Sequence, residues 1–449
     1  MMLELFQETI DQWVRHAASA QAGFLVRLEK AVREKESILE QILAFDTPEK
    51  FYYRAKDDNF ILGGAGRAFV MEGATAADIL SGLDHLWRVD ETIPVFGGFS
   101  FYPDDDVSCE WTPFGRFRFT LPFLEFRSDD RGLRVALNYI NPKGHSAAAV
   151  ARELCLALEA LDAGRRNIPA VMPQAMMKKE LVPEKAEWNH MIKRALHAIR
   201  EGEHKKIVLA RKKIITRKDH WDPAQIVRMI SEIKENSFTF FYQIEDTVAF
   251  LGRSPERLFR MEDGHVLAEA IAGTRPRGKT VLEDEGFEGE LLNSQKELEE
   301  HRFVAGFIET AMNRICTDVR KVSSEEILKL RHVQHIITRF SGRSPRDQPP
   351  LSVAKVFHPT PAVGGYPVEG IADYLKSAEP FRRGWYAAPI GWMNRKNADF
   401  AVGIRSALVN GNTLHIFAGA GIVRQSNAHA EWNETEKKMD NFTIILGDN

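Results

Sequence analysis

The segment KKIVLAR, residues 205–211, carries Lys206 at the head of an apolar run. A second apolar run ends downstream in FLGRSPE, residues 250–256, so that Glu256 follows it directly. We predict a strand for each run, which delivers an amine and a carboxyl group from two strand ends. Strand ends that open into a cleft can hold a base and an acid around a small substrate, each with a pKa tuned by burial. The pair favours acid–base chemistry, although Lys206 could also be an ordinary strand terminus and Glu256 could simply pair with a neighbouring arginine.

The composition is that of a soluble globular protein. The chain has 449 residues, of which 44% are hydrophobic and 27% charged, with a formal net charge of −3. This near-neutral charge gives no reason to expect a nucleic acid partner. No apolar run approaches the length that spans a bilayer, and no basic stretch precedes an apolar one at the start, so we expect a cytoplasmic protein without membrane contact. Three widely spaced cysteines indicate neither a disulfide framework nor a zinc site.

Antiparallel sheet is the predicted main structure. Aromatic residues nearly alternate over 96–101 and 114–126, and two hairpins are predicted over 238–251 and 258–271. An amphipathic helix is predicted over 147–161, and another ends before Gly202 and leads into the Lys206 strand. The proline-containing segment 167–183 is interpreted as a surface crossing between two parts of the chain.

Two predicted helices carry paired glutamates. Glu297 and Glu300 belong to a helix from about residue 290 to 315, and Glu431 and Glu434 to one from about 428 to 442. A spacing of three places each pair on one side of its helix. A charged helix face is by default a solvated one, but four facing carboxylates would repel unless a cation lay between them, and oxygen ligands suit Mg²⁺. Spacing alone leaves both interpretations open.

Three further features are candidates for binding. The alternation over 399–409 predicts a strand that presents Arg405 on one face, where it would require an anionic partner. The sequence GAG, residues 419–421, would let a ligand approach bare backbone amides. His335 lies in an apolar stretch, a pattern more typical of a hydrogen-bonded core histidine than of a catalytic one.

Five segments in this order resemble the motif series of the chorismate-utilising enzymes: 205–211, 250–258, 268–278, 294–301 and 419–423. The resemblance covers roughly residues 185–445. It implies an α+β fold with a single large domain, in which two antiparallel sheets pack together and are flanked by helices. Residues 1–180 are then the N-terminal part of the same α+β unit, and residues 185–445 are the chorismate-binding catalytic region.

Particular positions of this resemblance imply the reaction. Ammonia-using members of the family have glutamine where this chain has Lys206, and one group forms a lysine adduct where this chain has Ala272. The loop HPTPAVGG, residues 358–365, is similar to that of isochorismate synthases. The resemblance thus implies an isomerase that converts chorismate to isochorismate with Mg²⁺, by water attack at carbon 2 and loss of the hydroxyl at carbon 4. The alternatives are a salicylate synthase, which also eliminates pyruvate, and a non-catalytic chorismate-binding protein.

The same resemblance assigns roles to the site residues. Lys206 is the expected base and Glu256 the expected acid. The expected Mg²⁺ ligands are Glu300 and Glu434 directly, with Glu297 and Glu431 in support. The expected substrate-binding residues are Gly273, Thr274, His335, Tyr386, Arg405, Gly419, Ala420, Gly421 and Lys438. We expect a monomer without an obligatory glutaminase subunit, and a product that enters menaquinone synthesis, with catecholate siderophores as the other destination.

Overall fold

The structure, a computed structural model, describes residues 2–16, 23–33, 37–141, 144–168, 178–233, 235–329, 333–345 and 348–445. Its α-helices are α1 (Met2–His16), α2 (Ile38–Ala44), α3 (Ala76–Trp87), α4 (Ala147–Ala163), α5 (Lys185–Arg200), α6 (Pro223–Ser231), α7 (Val281–Asn293), α8 (Gln295–Ile315), α9 (Pro350–Phe357), α10 (Ile371–Ala378) and α11 (Ala428–Ile445). Within the described ranges, no helix is both long enough and apolar enough to cross a membrane.

The strands dominate the architecture. They are β1 (Phe24–Ala31), β2 (Lys50–Arg54), β3 (Ile61–Gly73), β4 (Val95–Phe99), β5 (Phe117–Asp129), β6 (Gly132–Asn141), β7 (Lys178–Val182), β8 (Lys206–Thr216), β9 (Phe238–Glu245), β10 (Val248–Ser254), β11 (Arg257–Glu262), β12 (His265–Pro276), β13 (Thr317–Lys329), β14 (Val333–Arg343), β15 (Gly365–Tyr366), β16 (Pro389–Met393), β17 (Ala398–Val402), β18 (Ser406–Asn410) and β19 (Thr413–Ile422).

The strands form two antiparallel sheets that share β3 and β5. The first runs β1-β6-β5-β3-β2-β9-β10-β18-β19-β8, with β7 and β15 on the outer edge of β8. The second continues from β5 through β4-β16-β17-β11-β12-β14-β13. The start of β5 pairs with β4 and its end with β6, so this long strand passes from one sheet into the other. The predicted α+β fold with two antiparallel sheets is confirmed.

Aromatic side chains fill the space between the two sheets. Phe96 of β4 stacks on Phe51 of β2, with ring centroids 4.7 Å apart, and meets Tyr242 of β9 edge-on at 5.3 Å. All three rings are fully buried, and each buried ring of this size contributes roughly 1.5–3 kcal/mol relative to exposure. Strand alternation directs Phe241 to a second apolar cluster, which includes residues of α1, α2, α4 and α6 on the outer face. The helices therefore cover the outside of the first sheet.

The local predictions were confirmed except at two places that matter for the site. The helix predicted from about 290 to 315 is interrupted at Ser294, whose hydroxyl accepts a hydrogen bond from the Glu297 amide and starts α8 afresh. The strand predicted over 399–409 is also interrupted, because residues 403–405 separate β17 from β18. Of the predicted crossing at 167–183, residues 169–177 lie outside the described residues, and Lys178–Val182 forms β7.

Candidate active site

Lys206 is the first residue of β8, and its side chain lies over the glycine-rich end of β19. In the pairing of these strands Gly421 stands opposite Val208, and a methyl group built on Gly421 would lie 2.9 Å from Cε of Lys206. A side chain at this position would therefore force the end of the Lys206 side chain to move. The Lys206 side chain is buried, and desolvation lowers the pKa of its ammonium.

A network of hydrogen bonds holds β8 in place behind Lys206. The Glu379 carboxylate accepts a hydrogen bond of 2.8 Å from the Ala210 amide, and the Arg383 guanidinium donates one of 2.7 Å to the Val208 carbonyl. The two side chains also pair with each other, and both are almost completely buried. A satisfied buried pair of this kind fixes the position of the groups it bonds. The strand that carries Lys206 is therefore held from the side of α10.

Glu256 lies between β10 and β11, in the turn that follows the second predicted strand. The Ser254 hydroxyl accepts a hydrogen bond of 3.2 Å from the Glu256 amide, and the Glu256 carbonyl accepts one of 3.1 Å from the Val402 amide. Desolvation raises the pKa of the Glu256 carboxyl to about 7, against the opposing effects of Lys206 and Lys56. A carboxyl group with this pKa can hold a proton near neutral pH and can donate it.

Lys206 and Glu256 line one cavity of about 760 Å³. Eleven of the other predicted site residues line it as well: Gly273, Thr274, Glu297, Glu300, His335, Arg405, Gly419, Gly421, Glu431, Glu434 and Lys438. Two do not. The Ala420 side chain is buried in the larger apolar core, and Tyr386 is buried with its hydroxyl 3.1 Å from where a methyl group on Gly419 would lie. Tyr386 therefore lies over Gly419 on the same face of β19 as Lys206, which lies over Gly421.

The glutamates of α8 and α11 face the same cavity and influence one another. The Glu300 carboxylate lies 3.9 Å from the Lys206 ammonium, and desolvation, with the neighbouring Glu297 and Glu434, raises the pKa of Glu300. Desolvation and Glu434 likewise raise the pKa of Glu431, which is buried. These partly buried carboxylates repel one another, and their oxygen atoms are ligands that suit a hard divalent cation.

Two of these carboxylates accept hydrogen bonds from protein cations. Glu297 accepts a hydrogen bond of 3.0 Å from Arg275, and Glu434 accepts one of 2.6 Å from Lys438. In the part of the chain that the structure describes, no three or more acidic, histidine or cysteine side chains already converge as metal ligands. The donors fit Mg²⁺ by chemistry, and Glu434 would have to turn from Lys438 to reach it.

His335 lines the cavity beside Gly273, which is itself close to Glu297 of α8. Its Nδ1 lies 3.0 Å from the Gly273 carbonyl and 3.0 Å from the Thr274 hydroxyl. Desolvation lowers the pKa of the imidazole, so the neutral ring donates from Nδ1 to the carbonyl and keeps Nε2 as an acceptor. Gly273 has a left-handed backbone with φ of 69°, which suits glycine at this bend.

Arg405 reaches the cavity from an irregular segment and not from the predicted strand. Its backbone is left-handed, with φ of 50°, and its carbonyl accepts a hydrogen bond of 3.0 Å from the Arg253 amide. The Ile404 amide donates a hydrogen bond of 2.7 Å to the Val402 carbonyl two residues before it, so the chain turns out of the strand at this point. Such backbone strain is often found where a side chain is aimed at a ligand. The alternation argument for Arg405 was wrong, although the residue does face the cavity.

The structure adds cavity residues that we did not predict. Arg253 lay inside a quoted motif but had no assigned role, and Lys437 adjoins the predicted Lys438. Lys56, Asn236 and Ser237 also line the cavity. Lys56 belongs to the turn between β2 and β3, some 150 residues before Lys206 in the sequence. No periodicity or motif in the N-terminal part marks it, since only the pairing of β2 with β9 brings it here.

The Gly421 contact leads to a first prediction. We expect Gly421→Ala to lower turnover about tenfold to a hundredfold, because its methyl group must displace the Lys206 side chain from its position. Gly411→Ala is the control, since a methyl group there meets no atom within 4 Å; its left-handed turn carries only a stability cost. Steady-state turnover, compared with thermal unfolding, separates the two effects. Equal activity of both variants would contradict the packing argument.

The chain is similar over most of its length to proteins of one enzyme family. A sequence profile of the family described as chorismate binding enzyme matches residues 12–447. The chain is 34% identical over 358 residues to the isochorismate synthase MenF of Bacillus subtilis (strain 168), covering 79% of this chain and 74% of that protein. It is 27% identical over 439 residues to the isochorismate synthase MenF of Haemophilus influenzae, covering 98% and 95%.

Among solved structures, MenF, the menaquinone-specific isochorismate synthase from Escherichia coli, has the same fold. The TM-score is 0.87 at 22% sequence identity, covering 99% of this chain and 100% of that one. The family predicted from five short segments is confirmed by a match over nearly the whole chain. The chain belongs to the chorismate-binding enzyme family.

Proposed function

We propose that this protein is an isochorismate synthase, an isomerase that converts chorismate to isochorismate. The observation that carries the proposal is the presence of Lys206 and Glu256 in one cavity, a desolvated amine and a carboxyl group with a pKa of about 7. A protein that only binds chorismate has no need of both a base and an acid at the ring. The relatives in Bacillus subtilis and Haemophilus influenzae carry the same functional name.

In the proposed reaction, Lys206 takes a proton from water as the water oxygen forms a bond to ring carbon 2. The ring double bonds shift, and the bond between carbon 4 and its hydroxyl group breaks with its electron pair leaving on oxygen. Glu256 donates a proton to that oxygen, which departs as water. One water enters and one leaves, so substrate and product are isomers. After the reaction Lys206 is protonated and Glu256 is ionised. Before the next turnover Lys206 must release its proton and Glu256 must take one up, both by exchange with solvent.

Chorismate carries two carboxylates, one on the enolpyruvyl group and one on the ring, which would bind at different places in the cavity. Arg405 can bind the enolpyruvyl carboxylate, since a guanidinium presents a planar fork that matches a carboxylate. Lys438 lies at the end of the glycine segment, where its ammonium donates to the Gly419 carbonyl at 2.9 Å. Gly273, Thr274 and His335 would contact the ring, and Gly419, Ala420 and Gly421 would offer backbone groups. The Ala420 side chain cannot take part, because it is buried in the core.

Mg²⁺ is the proposed cofactor. Glu300 and Glu434 would hold the ion directly, with Glu297 and Glu431 in support. When bound, it would neutralise the ring carboxylate of chorismate and orient the ring. Without a cation, four carboxylates and two substrate carboxylates would share the cavity, and their mutual repulsion would oppose binding.

The metal assignment is tested by Glu434→Gln. We expect the midpoint of the Mg²⁺ titration to rise tenfold or more, because the change removes a ligand charge and keeps the shape. The melting temperature should stay within about 1 °C, since the Glu434 side chain is half exposed and on the helix surface. Glu299→Gln, on the exposed side of α8, is the matched control. An unchanged Mg²⁺ titration for Glu434→Gln would remove the metal assignment.

The reaction itself is tested by incubating the purified protein with chorismate and Mg²⁺, with and without a chelator, and separating the products by chromatography. Isochorismate that disappears with chelator, without pyruvate, supports the proposal. Salicylate with an equal amount of pyruvate would make the protein a salicylate synthase. Absence of any product would favour a chorismate-binding protein without activity.

The proposal includes the setting of the reaction. We propose a cytoplasmic enzyme that acts as a monomer, takes chorismate as its small-molecule substrate and needs no glutaminase subunit, because water is the nucleophile. The product is proposed to enter menaquinone synthesis. Deleting the gene and supplying either menaquinone or a catecholate siderophore tests this destination, since only the missing product restores growth.

A further inference from the structure

A tight turn from the N-terminal part of the chain reaches the acid side of the cavity. The turn joins β2 to β3, and it is closed by hydrogen bonds from the Ala55 amide to the Phe60 carbonyl (2.9 Å) and from the Asp58 amide to the Ala55 carbonyl (3.1 Å). Asp58 has the left-handed backbone that such turns require, with φ of 54°. Lys56 and Asp57 are therefore presented from a backbone with a defined shape.

Lys56 points into the cavity. Its side chain is only 8% exposed and forms an ion pair with Glu269 of β12, while its ammonium lies 5.9 Å from the centre of the Phe238 ring. It lines both the main cavity and a groove that adjoins it. A lysine that is almost fully desolvated is costly unless its charge has a use or a partner. Lys56 has Glu269 as its ion-pair partner, and its charge also faces the cavity.

The next residue of the turn holds the segment that carries Glu256. The Asp57 carboxylate accepts a hydrogen bond of 2.8 Å from Arg257, which directly follows Glu256. Arg257 also donates bonds of 2.9 and 3.2 Å to Asp399 of β17. The same turn therefore makes two connections: Lys56 pairs with Glu269 of β12, and Asp57 binds Arg257, the residue after Glu256.

We propose that Lys56 is a positioning residue for the acid Glu256: held by Glu269, its ammonium faces the cavity that Glu256 also lines and stabilises the carboxylate that remains after proton donation. The inference rests on the proposed function and assigns the N-terminal part of the chain a role in the site. Proton donation turns the neutral Glu256 carboxyl into a carboxylate. A fixed cation facing the same cavity stabilises this carboxylate more than the neutral carboxyl, and it therefore favours proton donation.

The charges around Glu256 set the direction of the effect. Lys206 of β8 and Lys56 both lower the pKa of Glu256, and burial raises it. Glu269 is the anion that faces Lys56. If Lys56 loses its charge, the pKa of Glu256 must rise, and the carboxyl becomes a weaker acid. The alkaline side of the pH profile should move up, and proton donation should become slower.

The test compares kcat and kcat/KM across pH for Lys56→Met, Lys56→Arg and the control Asp58→Asn, which keeps a residue that tolerates the left-handed backbone. For Lys56→Met we expect the alkaline midpoint of kcat/KM to rise by about half to one pH unit, and kcat to fall about tenfold. Lys56→Arg and Asp58→Asn should keep the original midpoint. An unmoved midpoint in Lys56→Met, or equal losses in the methionine and arginine variants, would overturn the proposal.

A second measurement does not depend on turnover. The melting temperatures of Glu256→Gln and its parent are compared across pH, once with Lys56 and once in the double variant Lys56→Met/Glu269→Gln, which leaves no lone buried carboxylate. The difference in melting temperature between Glu256→Gln and its parent should change with pH around a midpoint. In the Lys56→Met/Glu269→Gln background this midpoint should be higher by about half to one pH unit. If the wild-type protein makes no isochorismate, the proposed function fails, while this comparison still decides whether Lys56 acts on Glu256.

Discussion

Replacing Lys206 with alanine is expected to lower the conversion of chorismate by about 10²–10⁴-fold, the usual contribution of a positioned general base. The desolvated amine at the start of β8 is held by its packing over Gly421 and by the Glu379–Arg383 pair behind the strand. The neighbouring Lys205 is exposed and faces the Phe303 ring, outside the cavity lining, so it cannot replace the lost amine. Chorismate-dependent thermal stabilisation should persist, because the binding groups remain.

Lys205→Ala is the matched control for this variant. Its ammonium lies outside the cavity lining, 5.7 Å from the centre of the Phe303 ring, so its loss should leave turnover within about twofold. Product formation at saturating chorismate and Mg²⁺ is the measurement. Full activity of Lys206→Ala would exclude the lysine as the base, whereas full loss in both variants would indicate damage to β8.

Glu256→Gln is expected to lower turnover by a similar factor, about 10²–10⁴-fold, because glutamine cannot donate a proton to the departing hydroxyl. In the wild-type protein the acid is active while it holds its proton. Activity should therefore be lost as the pH rises through about 7, the pKa of the Glu256 carboxyl. The weak activity that remains in Glu256→Gln should lack this alkaline limb. A limb that persists at the same pH would assign the titration to another group.

The same substitution has an opposite effect on stability. Since the pKa of Glu256 in the fold lies above the ordinary value of 4.5, its contribution to stability is fully present below pH 4.5 and is lost as the pH rises through about 7. Above that pH, Glu256→Gln should be more stable than the wild type by up to about 3 kcal/mol, relative to their difference at pH 4. The exposed Glu262→Gln is the control, and it should show no such pH-dependent difference.

Much of this protein could be predicted from local patterns. The hairpins around 238–251 and 258–271, the helix after the chain crossing and the Lys206 strand depend on alternation, turn residues and glycine caps, which act over a few residues. The family could be predicted because five short segments match its motif series in the same order along the chain. The prediction failed at Ser294 and at residues 403–405, where a polar cap and a local hydrogen-bonded turn, respectively, override the periodicity.

The sequence by itself determined which chemical groups are available: an amine, a carboxyl and two pairs of glutamates, each at the end or on one face of a predictable element, and an arginine whose predicted strand is interrupted in the fold. Only the tertiary structure decided which of them meet. Desolvation raises the pKa of Glu256, and the antiparallel pairing of β2 with β9 brings Lys56 into the same cavity. Burial and long-range pairing depend on how distant segments pack, so neither the tuned acid nor its N-terminal cation can be recognised from neighbouring residues alone.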